Sequence, residues 1–176
     1  MKKTKFTTRQ LAYDALLAAM CAVLGFVSLE MGWFKISFES LPVFMAAMLF
    51  GPLDGLAVGG TGTLVYQLLR YGPSVTTVLW MLPYMLVGLV TGFIFRKQTE
   101  EMSFGRLLTV MIISGLIILV FNTLAMYVDS KMFGYYTKEL IFGGFLVRIA
   151  VCVLRSVIFT ALLPPLMNAA YRGLKK

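Results

Sequence analysis

The apolar run Leu107–Val128 constrains the fold more than any other part of this sequence, because it contains no charged residue. A helix needs about 20 apolar residues to cross the hydrocarbon core of a bilayer. Lipid offers the backbone no hydrogen-bond partners, so a run of this kind predicts a transmembrane helix. The composition of the whole chain is also typical of a membrane protein, since 59% of its 176 residues are hydrophobic, 14% are charged and the mean hydropathy is +0.84. The sequence therefore predicts an integral membrane protein.

Five more apolar runs predict further helices. The result is an all-α integral membrane protein with six transmembrane helices in a single transmembrane domain, residues 1–176. The predicted spans are 11–29, 40–50, 56–69, 77–95, 107–128 and 140–166. Segment 30–39, between the first two spans, alternates polar and apolar residues and is predicted to lie at the membrane surface.

The second and third spans belong to the most unusual stretch of the sequence, Leu41–Ser74. They meet at Gly51–Gly55, where Gly and Pro are typical of a tight turn. The second span has few residues and the third carries Gly59, Gly60 and Gly62, so helices 2 and 3 are predicted to be short and Gly/Pro-interrupted. Interrupted backbone at membrane depth is tolerated where it lines a cavity. We therefore interpret this hairpin as one wall of a ligand pocket.

Basic residues are unevenly distributed between the two sides of the predicted topology. Ten Lys and Arg residues fall on the side of the termini and four on the other. The ten are Lys2, Lys3, Lys5, Arg9, Arg96, Lys97, Arg106, Arg172, Lys175 and Lys176, and the four are Lys35, Arg70, Lys131 and Lys138. This bias predicts a multi-pass protein of the cell (plasma) membrane with both termini in the cytoplasm. It also explains the net charge of +8 without a nucleic-acid partner.

The residue types that carry most acid–base and metal chemistry are scarce in this chain. There is no histidine, the commonest general acid or base and a frequent metal ligand. Cys21 and Cys152 both lie within apolar runs, where we expect buried thiols rather than a disulfide or a metal pair. We therefore predict no catalytic residue, no metal site and no enzyme activity.

Small residues form a stripe along the first span, at Ala15, Ala18, Ala19 and Ala22. The two overlapping Ala-x-x-x-Ala spacings place them where another helix can approach closely. That helix can belong to this chain or to a partner protein, and the spacing leaves both readings open.

Aromatic and polar residues are expected to converge at the outer end of the predicted bundle. The members of this group are Trp33, Lys35, Glu39, Tyr66, Gln67, Arg70, Trp80 and Tyr84. Trp80 and Tyr84 are four residues apart and share a helix face. Aromatic walls with a few hydrogen-bonding groups suit a planar molecule of vitamin size. The alternative is that these residues are interfacial anchors, which are common near span ends.

Polar residues inside the fifth and sixth spans form a third group. Arg148 and Arg155 are seven residues apart and lie on about the same helix face. An arginine at mid-depth costs about 2.5 kcal/mol or more unless it faces a partner or water. We include Asn122 and Arg148 among the substrate-binding candidates and predict a structural salt bridge for Arg155. Its candidate partners are Asp14, Glu39 and Asp54.

The basic N-terminus, the alanine stripe and the hairpin LPVFMAAMLFGPLDGLAVGGTGTLVYQLL together resemble the substrate-binding S components of energy-coupling factor (ECF) transporters. The resemblance covers nearly the whole chain and is most specific over Leu41–Gly62. It implies a subunit that binds a vitamin outside the cell and associates, within the lipid membrane, with a shared coupling protein and two ABC ATPases. It also implies that the alanine stripe docks on the coupling protein. ATP is then used by the ATPases, and this chain, which lacks a phosphate-binding Gly-x-x-x-x-Gly-Lys loop, needs no cofactor.

The hairpin is most similar to that of the folate-type branch, which implies a folate-like substrate. Lys35 and Arg70 can then pair with an anionic tail, while Trp33, Trp80 and Tyr84 stack on a flat ring. Pantothenate, lipoate, and pyridoxine-like or thiazole/pyrimidine precursors suit the same groups.

Two other classes of protein remain as alternatives. A non-transport membrane scaffold of the cell-shape (rod-complex) type has a similar length and number of spans, and it needs no outer pocket. A small membrane enzyme of lipid metabolism needs a cluster of catalytic acids at one face, whereas the Asp and Glu residues here are scattered.

Overall fold

Seven helices and one pair of short strands form the computed structural model, which describes residues 7–31, 34–95 and 103–174. The helices are α1 (Thr8–Phe26), α2 (Ser40–Leu49), α3 (Pro52–Tyr71), α4 (Thr77–Phe95), α5 (Phe104–Met132), α6 (Lys138–Phe142) and α7 (Phe145–Leu174). The strands β1 (Leu29–Met31) and β2 (Phe34–Ile36) pair in antiparallel orientation between α1 and α2. Four helical segments in the described ranges are long and apolar enough to cross a membrane, α6 and α7 counting as one. The predicted all-α membrane architecture is confirmed.

The short helix α2 lies at the centre of the bundle. Its side chains Val43 and Ala46 are 0% exposed, and α1, α3, α4 and α7 all contact it. One apolar cluster joins α2 to Leu17 of α1 and Val58 of α3, and a second joins Phe44 to α4, α5 and α7. A helix of 10 residues that is covered by protein need not span the bilayer by itself. In this position α2 is covered by protein and does not act as a lipid-facing anchor.

Helix α3 begins earlier and is longer than the predicted span 56–69. Gly51 turns the chain directly after α2 with a φ of 124°, a conformation that favours glycine. Pro52 then takes the first helical position, where its fixed φ suits the helix and its missing N–H is not needed. The residues predicted as a turn therefore start the helix, which runs for 20 residues. Helix 2 is short as predicted, but helix 3 is neither short nor broken at its glycines.

Glycines bring α3 and α4 together backbone to backbone. A Cβ on Gly88 would overlap the carbonyl group of Gly55, and a Cβ on Gly92 would overlap the first residue of α3. A Cβ on Gly59 would lie 2.5 Å from the carbonyl oxygen of Tyr84. Each helix thus presents a Gly-x-x-x-Gly face, the spacing that lets helices approach closely in lipid. We call this contact the glycine seam (Gly55, Gly59, Gly88 and Gly92).

The start of α1 and the end of α7 lie at the same end of the bundle. Arg9 Nη2 donates a hydrogen bond to the carbonyl oxygen of Gly173 at 2.9 Å. Helix α3 also begins there, because Gln10 Nε2 donates to Asp54 Oδ1 at 2.6 Å. We call this part of the molecule the terminal half. The opposite part, in which α3 ends and α4 begins, is called the cavity half.

Candidate functional site

A cavity of about 830 Å³ occupies the cavity half, between α3, α4, α5 and α7. Small-molecule sites typically have volumes of about 300–1,000 Å³. Helices α3 and α4 touch at the glycine seam in the terminal half, whereas Gln67 of α3 and Trp80 of α4 border open space. The size of this space suits a small organic molecule.

Aromatic side chains form part of the cavity wall. Tyr66 of α3 is 2% exposed, and its ring packs edge-on against those of Phe26 and Tyr71. Trp80 and Tyr84 lie one turn apart on α4, and both line the cavity. Such rings provide flat apolar surfaces on which a planar ligand can stack.

Two arginines and a glutamate also line the cavity. Arg148 Nη2 donates a hydrogen bond to the carbonyl oxygen of Leu140 at 3.1 Å. The guanidinium of Arg155 lies 5.9 Å from the ring centroid of Phe159 and interacts electrostatically with the Glu39 carboxylate. Because both arginines face the inside of the bundle, they avoid the cost of placing a cation in lipid. The cavity therefore contains both strong donors and a strong acceptor.

Hydrogen bonds to Asp129 join two loops beside the cavity. Thr76, in the loop between α3 and α4, donates from Oγ1 to Asp129 Oδ1 at 2.5 Å. Tyr135, which follows α5, donates from its hydroxyl to Asp129 Oδ2. Burial, and then the contact with Asp129, raises the pKa of Tyr135 to about 12, so its hydroxyl remains a donor at neutral pH. We call Thr76, Asp129 and Tyr135 the Asp129 clasp.

Two cavity-lining residues carry buried oxygens without a hydrogen-bond partner in the part of the chain that the structure describes. They are Thr63 Oγ1 and Asn122 Oδ1. Buried polar atoms in proteins nearly always have a partner, so a polar ligand or water fits the surroundings of these atoms. Within the described ranges, no group of three or more His, Cys, Asp or Glu side chains could hold a metal ion. Cys21 and Cys152 are both buried, as predicted, and no disulfide joins them.

The structure brings most of the predicted site residues together around the cavity. Those that line it are Glu39, Tyr66, Gln67, Trp80, Tyr84, Asn122 and Arg148. Trp33 lies outside the described residues. Lys35 pairs with Glu30 through the strand backbones, and its side chain is not among those described. The binding roles of all these residues stay predictions.

Arg70 does not line the cavity, so its predicted place in the site is corrected. It is exposed near the end of α3, where its guanidinium lies 5.7 Å from the ring centroid of Tyr71. Tyr71 takes the position at the cavity wall, and the arginine lies over the tyrosine ring. Among the described side chains, Arg148 and Arg155 are the arginines at the cavity.

Arg155, for which the sequence predicts a structural salt bridge and no direct ligand contact, also lines the cavity. Of its three candidate partners, Glu39 is the one that interacts with it. Asp14 and Asp54 instead lie in the terminal half, where Asp54 Oδ1 accepts a hydrogen bond from Gln10 Nε2 and Asp14 Oδ1 is buried without a partner among the described residues. An intramembrane arginine is itself a signal of a functional site, and this signal could have placed Arg155 among the substrate-binding candidates.

The Asp129 clasp was also missed, because Thr76 and Asp129 are 53 residues apart and neither stands out in sequence. Both lie near span ends, where polar residues are ordinary. Only the packing of α4 against α5 brings them together.

The alanine stripe divides into two faces. Ala15 and Ala19 are exposed, whereas Ala22 is 5% exposed and packs inside the bundle. Ala18 is half-buried, and a Cβ on Gly62 of α3 would lie 2.9 Å from its carbonyl oxygen. The predicted docking role of Ala22 is therefore corrected, because its side chain is covered by this chain. Ala15 and Ala19 remain accessible to a partner helix.

Comparison of sequence families gives one match over nearly the whole chain. Residues 5–172 match the model of the family described as "ECF-type riboflavin transporter, S component". A comparison with curated proteins gives no match.

Three solved structures share this arrangement of helices over most of their length. The chain is similar to FolT bound with folic acid, with 23% identity over 93% of this chain and 95% of that chain and a TM-score of 0.72. It is similar to the S component for biotin from an ECF-type ABC transporter, with 18% identity, 93% and 95% coverage and a TM-score of 0.68. A further S component of a bacterial ECF transporter gives 21% identity, 96% and 98% coverage and a TM-score of 0.65. These likenesses show a shared fold.

Proposed function

The chain belongs to the ECF-type riboflavin transporter S component family, and on that premise we propose that it captures one vitamin outside the cell for import. Members of this family are subunits of transporters and not enzymes, in agreement with the prediction of no enzyme activity. The protein is a multi-pass membrane protein that serves vitamin transport. The family match leaves no support for the cell-shape scaffold that the sequence alone kept open.

The cavity in the cavity half is the observation that carries this proposal. Its volume of about 830 Å³ and its aromatic wall suit a flat heteroaromatic vitamin. Arg148 and Arg155 favour a ligand that also carries carbonyl or anionic oxygens. We therefore favour a folate-like substrate, and the similar fold of FolT bound with folic acid supports this choice. Riboflavin is the second candidate, because the family description names it.

Delivery of the ligand requires partners, which we propose to be a transmembrane coupling protein and two ABC ATPases that use the ATP. The exposed side of α1, which includes Ala15 and Ala19, is the proposed docking surface for the coupling protein. The excess of Lys and Arg on the side of the termini supports a cytoplasmic position for both. The cavity half then faces the outside, where the ligand enters.

A thermal-shift screen of the purified full-length chain in detergent tests the proposal. The panel is folate, riboflavin, biotin, pantothenate, lipoate and pyridoxine. A ligand present at 100 times its Kd stabilises the native state by about 2.7 kcal/mol, so one compound should raise the unfolding midpoint clearly. We expect that compound to bind with a Kd below about 1 μM. If none of the vitamins raises the midpoint, the proposed function is wrong.

A further inference from the structure

Thr63 places a buried hydroxyl group in the α3 wall of the cavity. The residue is 2% exposed, and its Oγ1 has no hydrogen-bond partner in the part of the chain that the structure describes. Threonine within a helix often donates to the carbonyl oxygen four residues earlier. Thr61, Thr123 and Thr160 do so here, each at 2.7 Å. The hydroxyl of Thr63 is therefore left for a group that enters the cavity.

Thr91 of α4 is the natural comparison for Thr63. Its Oγ1 also lacks a hydrogen-bond partner among the described residues, and its side chain is 0% exposed. Thr91 does not line the cavity, however, and it directly precedes Gly92 of the glycine seam. The two threonines thus share burial and an unpartnered hydroxyl, but only Thr63 adjoins space that a ligand can occupy.

Gln67 places an amide one helical turn beyond Thr63. The two residues are four apart on α3, so they share a helix face and are separated by about 6 Å along the helix axis. Gln67 is 8% exposed and also lines the cavity. Its amide provides an acceptor oxygen and two N–H donors, and the Thr63 hydroxyl can both donate and accept. We call these two uncharged residues the α3 polar strip.

The charged groups of the cavity lie on other elements and have a single hydrogen-bonding character. Arg148 and Arg155 of α7 only donate hydrogen bonds, and Glu39, which precedes α2, only accepts them when ionised. A ring N–H beside a ring carbonyl group, which is a lactam edge, needs an acceptor next to a donor. A neutral amide matches this edge with two parallel hydrogen bonds, and neither kind of charged group does so alone.

Asn122 of α5 carries a second amide at the cavity. The residues one turn away on either side, Ile118 and Met126, are apolar. Among the described residues that line the cavity, only the α3 polar strip therefore combines an amide with a second uncharged hydrogen-bonding group one turn away.

We propose that the α3 polar strip binds the lactam edge of a planar heteroaromatic ring, and this proposal rests on the proposed function. Gln67 accepts a hydrogen bond from the ring N–H and donates one to the adjacent carbonyl oxygen. Thr63 binds the group on the other side of the N–H. Because a hydroxyl accepts from an amino group and donates to a carbonyl oxygen, the strip suits both a 2-amino-4-oxopteridine and the dioxo edge of a flavin. Pantothenate, lipoate and pyridoxine lack a ring edge of this kind.

The aromatic residues of the cavity stand beside the strip. Trp80 and Tyr84 lie on α4, which packs against α3, and both line the cavity. A ring whose edge meets Thr63 and Gln67 can therefore stack on these side chains. The arginines of α7 then remain for the polar substituents of the ligand.

Methylation of the ring N–H tests the contact with Gln67, using the full-length protein in detergent. The ligand pairs are riboflavin with 3-methylriboflavin and folic acid with 3-methylfolic acid, and the pair is chosen by the vitamin that the wild type binds. By isothermal titration, the wild type should bind the unmethylated compound at least about tenfold more tightly, because the methyl group removes the donor. Gln67→Ala should reduce this ratio to about twofold or less, since it removes the amide and makes room for the methyl group.

Thr63→Val tests the hydroxyl with little change in side-chain shape. The affinity for the unmethylated vitamin should fall about fivefold, as expected for the loss of one neutral hydrogen bond. Thr63→Ser, which keeps a hydroxyl, should bind almost as tightly as the wild type. Thr91→Val is the matched control and should leave the affinity unchanged. Without ligand, the two valine variants should unfold at similar temperatures, which separates a binding role of Thr63 from a structural one.

Equal affinity of the wild type for the methylated and unmethylated compounds would overturn the inference. An unchanged ratio in Gln67→Ala would also overturn it, because the ring edge would then lie at another wall. Normal affinity in Thr63→Val has the same meaning, even where Gln67→Ala cannot be purified in folded form. Binding of another vitamin of the panel, with neither riboflavin nor folate bound, leaves the proposed function standing and removes this inference. Failure of every vitamin to bind removes both.

Discussion

Helices α3 and α4 pack against each other in two different ways along their length. In the terminal half, the glycine seam brings their backbones into direct contact. In the cavity half, the same helices carry Tyr66, Gln67 and Trp80 along the wall of a cavity of about 830 Å³. Tyr84 lies between the two regions, because its carbonyl oxygen meets Gly59 while its side chain lines the cavity.

The comparison shows how a small membrane protein can combine a rigid part with a binding site. Where neither helix has a side chain at the contact, close van der Waals packing holds α3 and α4 together. The hydrophobic effect does not contribute to this contact within lipid. Where the side chains are large, the helices enclose space that a ligand can fill. Substitutions in the terminal half should therefore affect folding, and those in the cavity half should affect binding.

The largest effect is expected from Gly88→Leu in the glycine seam. An added Cβ already overlaps the backbone of Gly55, so the helices must separate. Overpacking of this kind costs about 3 kcal/mol or more. The variant should give little monodisperse protein in size-exclusion chromatography in detergent.

Gly105→Leu provides the matched control for the seam. Gly105 lies near the start of α5, and a Cβ there meets nothing within 4 Å. This variant should behave like the wild type. A normal yield and unfolding midpoint for Gly88→Leu would show that the seam is not the rigid part of the molecule.

The second largest effect is expected from Arg155→Met in the cavity half. The substitution keeps an unbranched side chain and removes a charged donor from the cavity wall. Loss of a hydrogen bond to a charged group costs about 2 kcal/mol, so the affinity for the vitamin should fall about 30-fold. Titration calorimetry of the folded fraction measures the change.

Arg172→Met, at the exposed end of α7, is the control for this substitution. It should leave the affinity unchanged. If Arg155→Met binds the vitamin as tightly as the wild type, Arg155 does not contact the ligand. Its role is then in folding, like that of the residues in the terminal half.

The sequence predicted the membrane class, the all-α architecture and many residues of the cavity wall, because these depend on local patterns. Apolar runs between charged loops define the spans, and Trp80 and Tyr84 share a helix face at a spacing of four. The prediction failed at the glycines of α3. Glycine weakens an isolated helix, but it also lets a neighbouring helix approach, and only the position of α4 decides between these effects.

Long-range contacts explain the other differences between sequence and structure. Ala19 and Ala22 are equivalent members of the alanine stripe, yet α1 packs against α2 and α3, and only Ala22 is buried. Arg70 and Arg155 are both arginines in or near spans, and only the packing of α7 turns Arg155 towards the cavity. Nothing within either segment carries this information.

A smaller and more selective effect is expected on α1, which borders the seam helix α3. Ala19→Leu enlarges an exposed side chain that a partner helix must approach. Co-purification with the coupling protein should fall about tenfold, equivalent to about 1.4 kcal/mol, because the helices can no longer meet closely. Ligand binding by the isolated chain should remain normal.

Ala22→Leu separates docking from internal packing, since Ala22 is buried against the rest of this chain. It should lower the unfolding midpoint of the isolated protein, as seam substitutions do. Equal loss of co-purification in both variants, with equal stability, would show that the stripe acts as one docking surface.

The smallest effect is expected at the Asp129 clasp, which joins the loops of the cavity half. Tyr135→Phe removes the hydroxyl that donates to Asp129 Oδ2 and leaves the donation from Thr76 in place. Loss of one hydrogen bond is worth about 1 kcal/mol, so dissociation of the ligand should accelerate about fivefold. Stopped-flow fluorescence of the wild type and the variant measures the two rates.

Tyr136→Phe is the control, because the Tyr136 ring packs on Tyr127 and Lys131 and phenylalanine keeps these contacts.

The pKa of Tyr135 is raised from 10.0 to about 12, so its hydrogen bond is fully present below about pH 10 and is lost as the pH rises towards 12. The dissociation rate of Tyr135→Phe divided by that of the wild type should therefore be constant from about pH 6 to 9, since Tyr135 keeps its proton throughout that range. A ratio of one at neutral pH would show that the loops of the cavity half are held by other contacts.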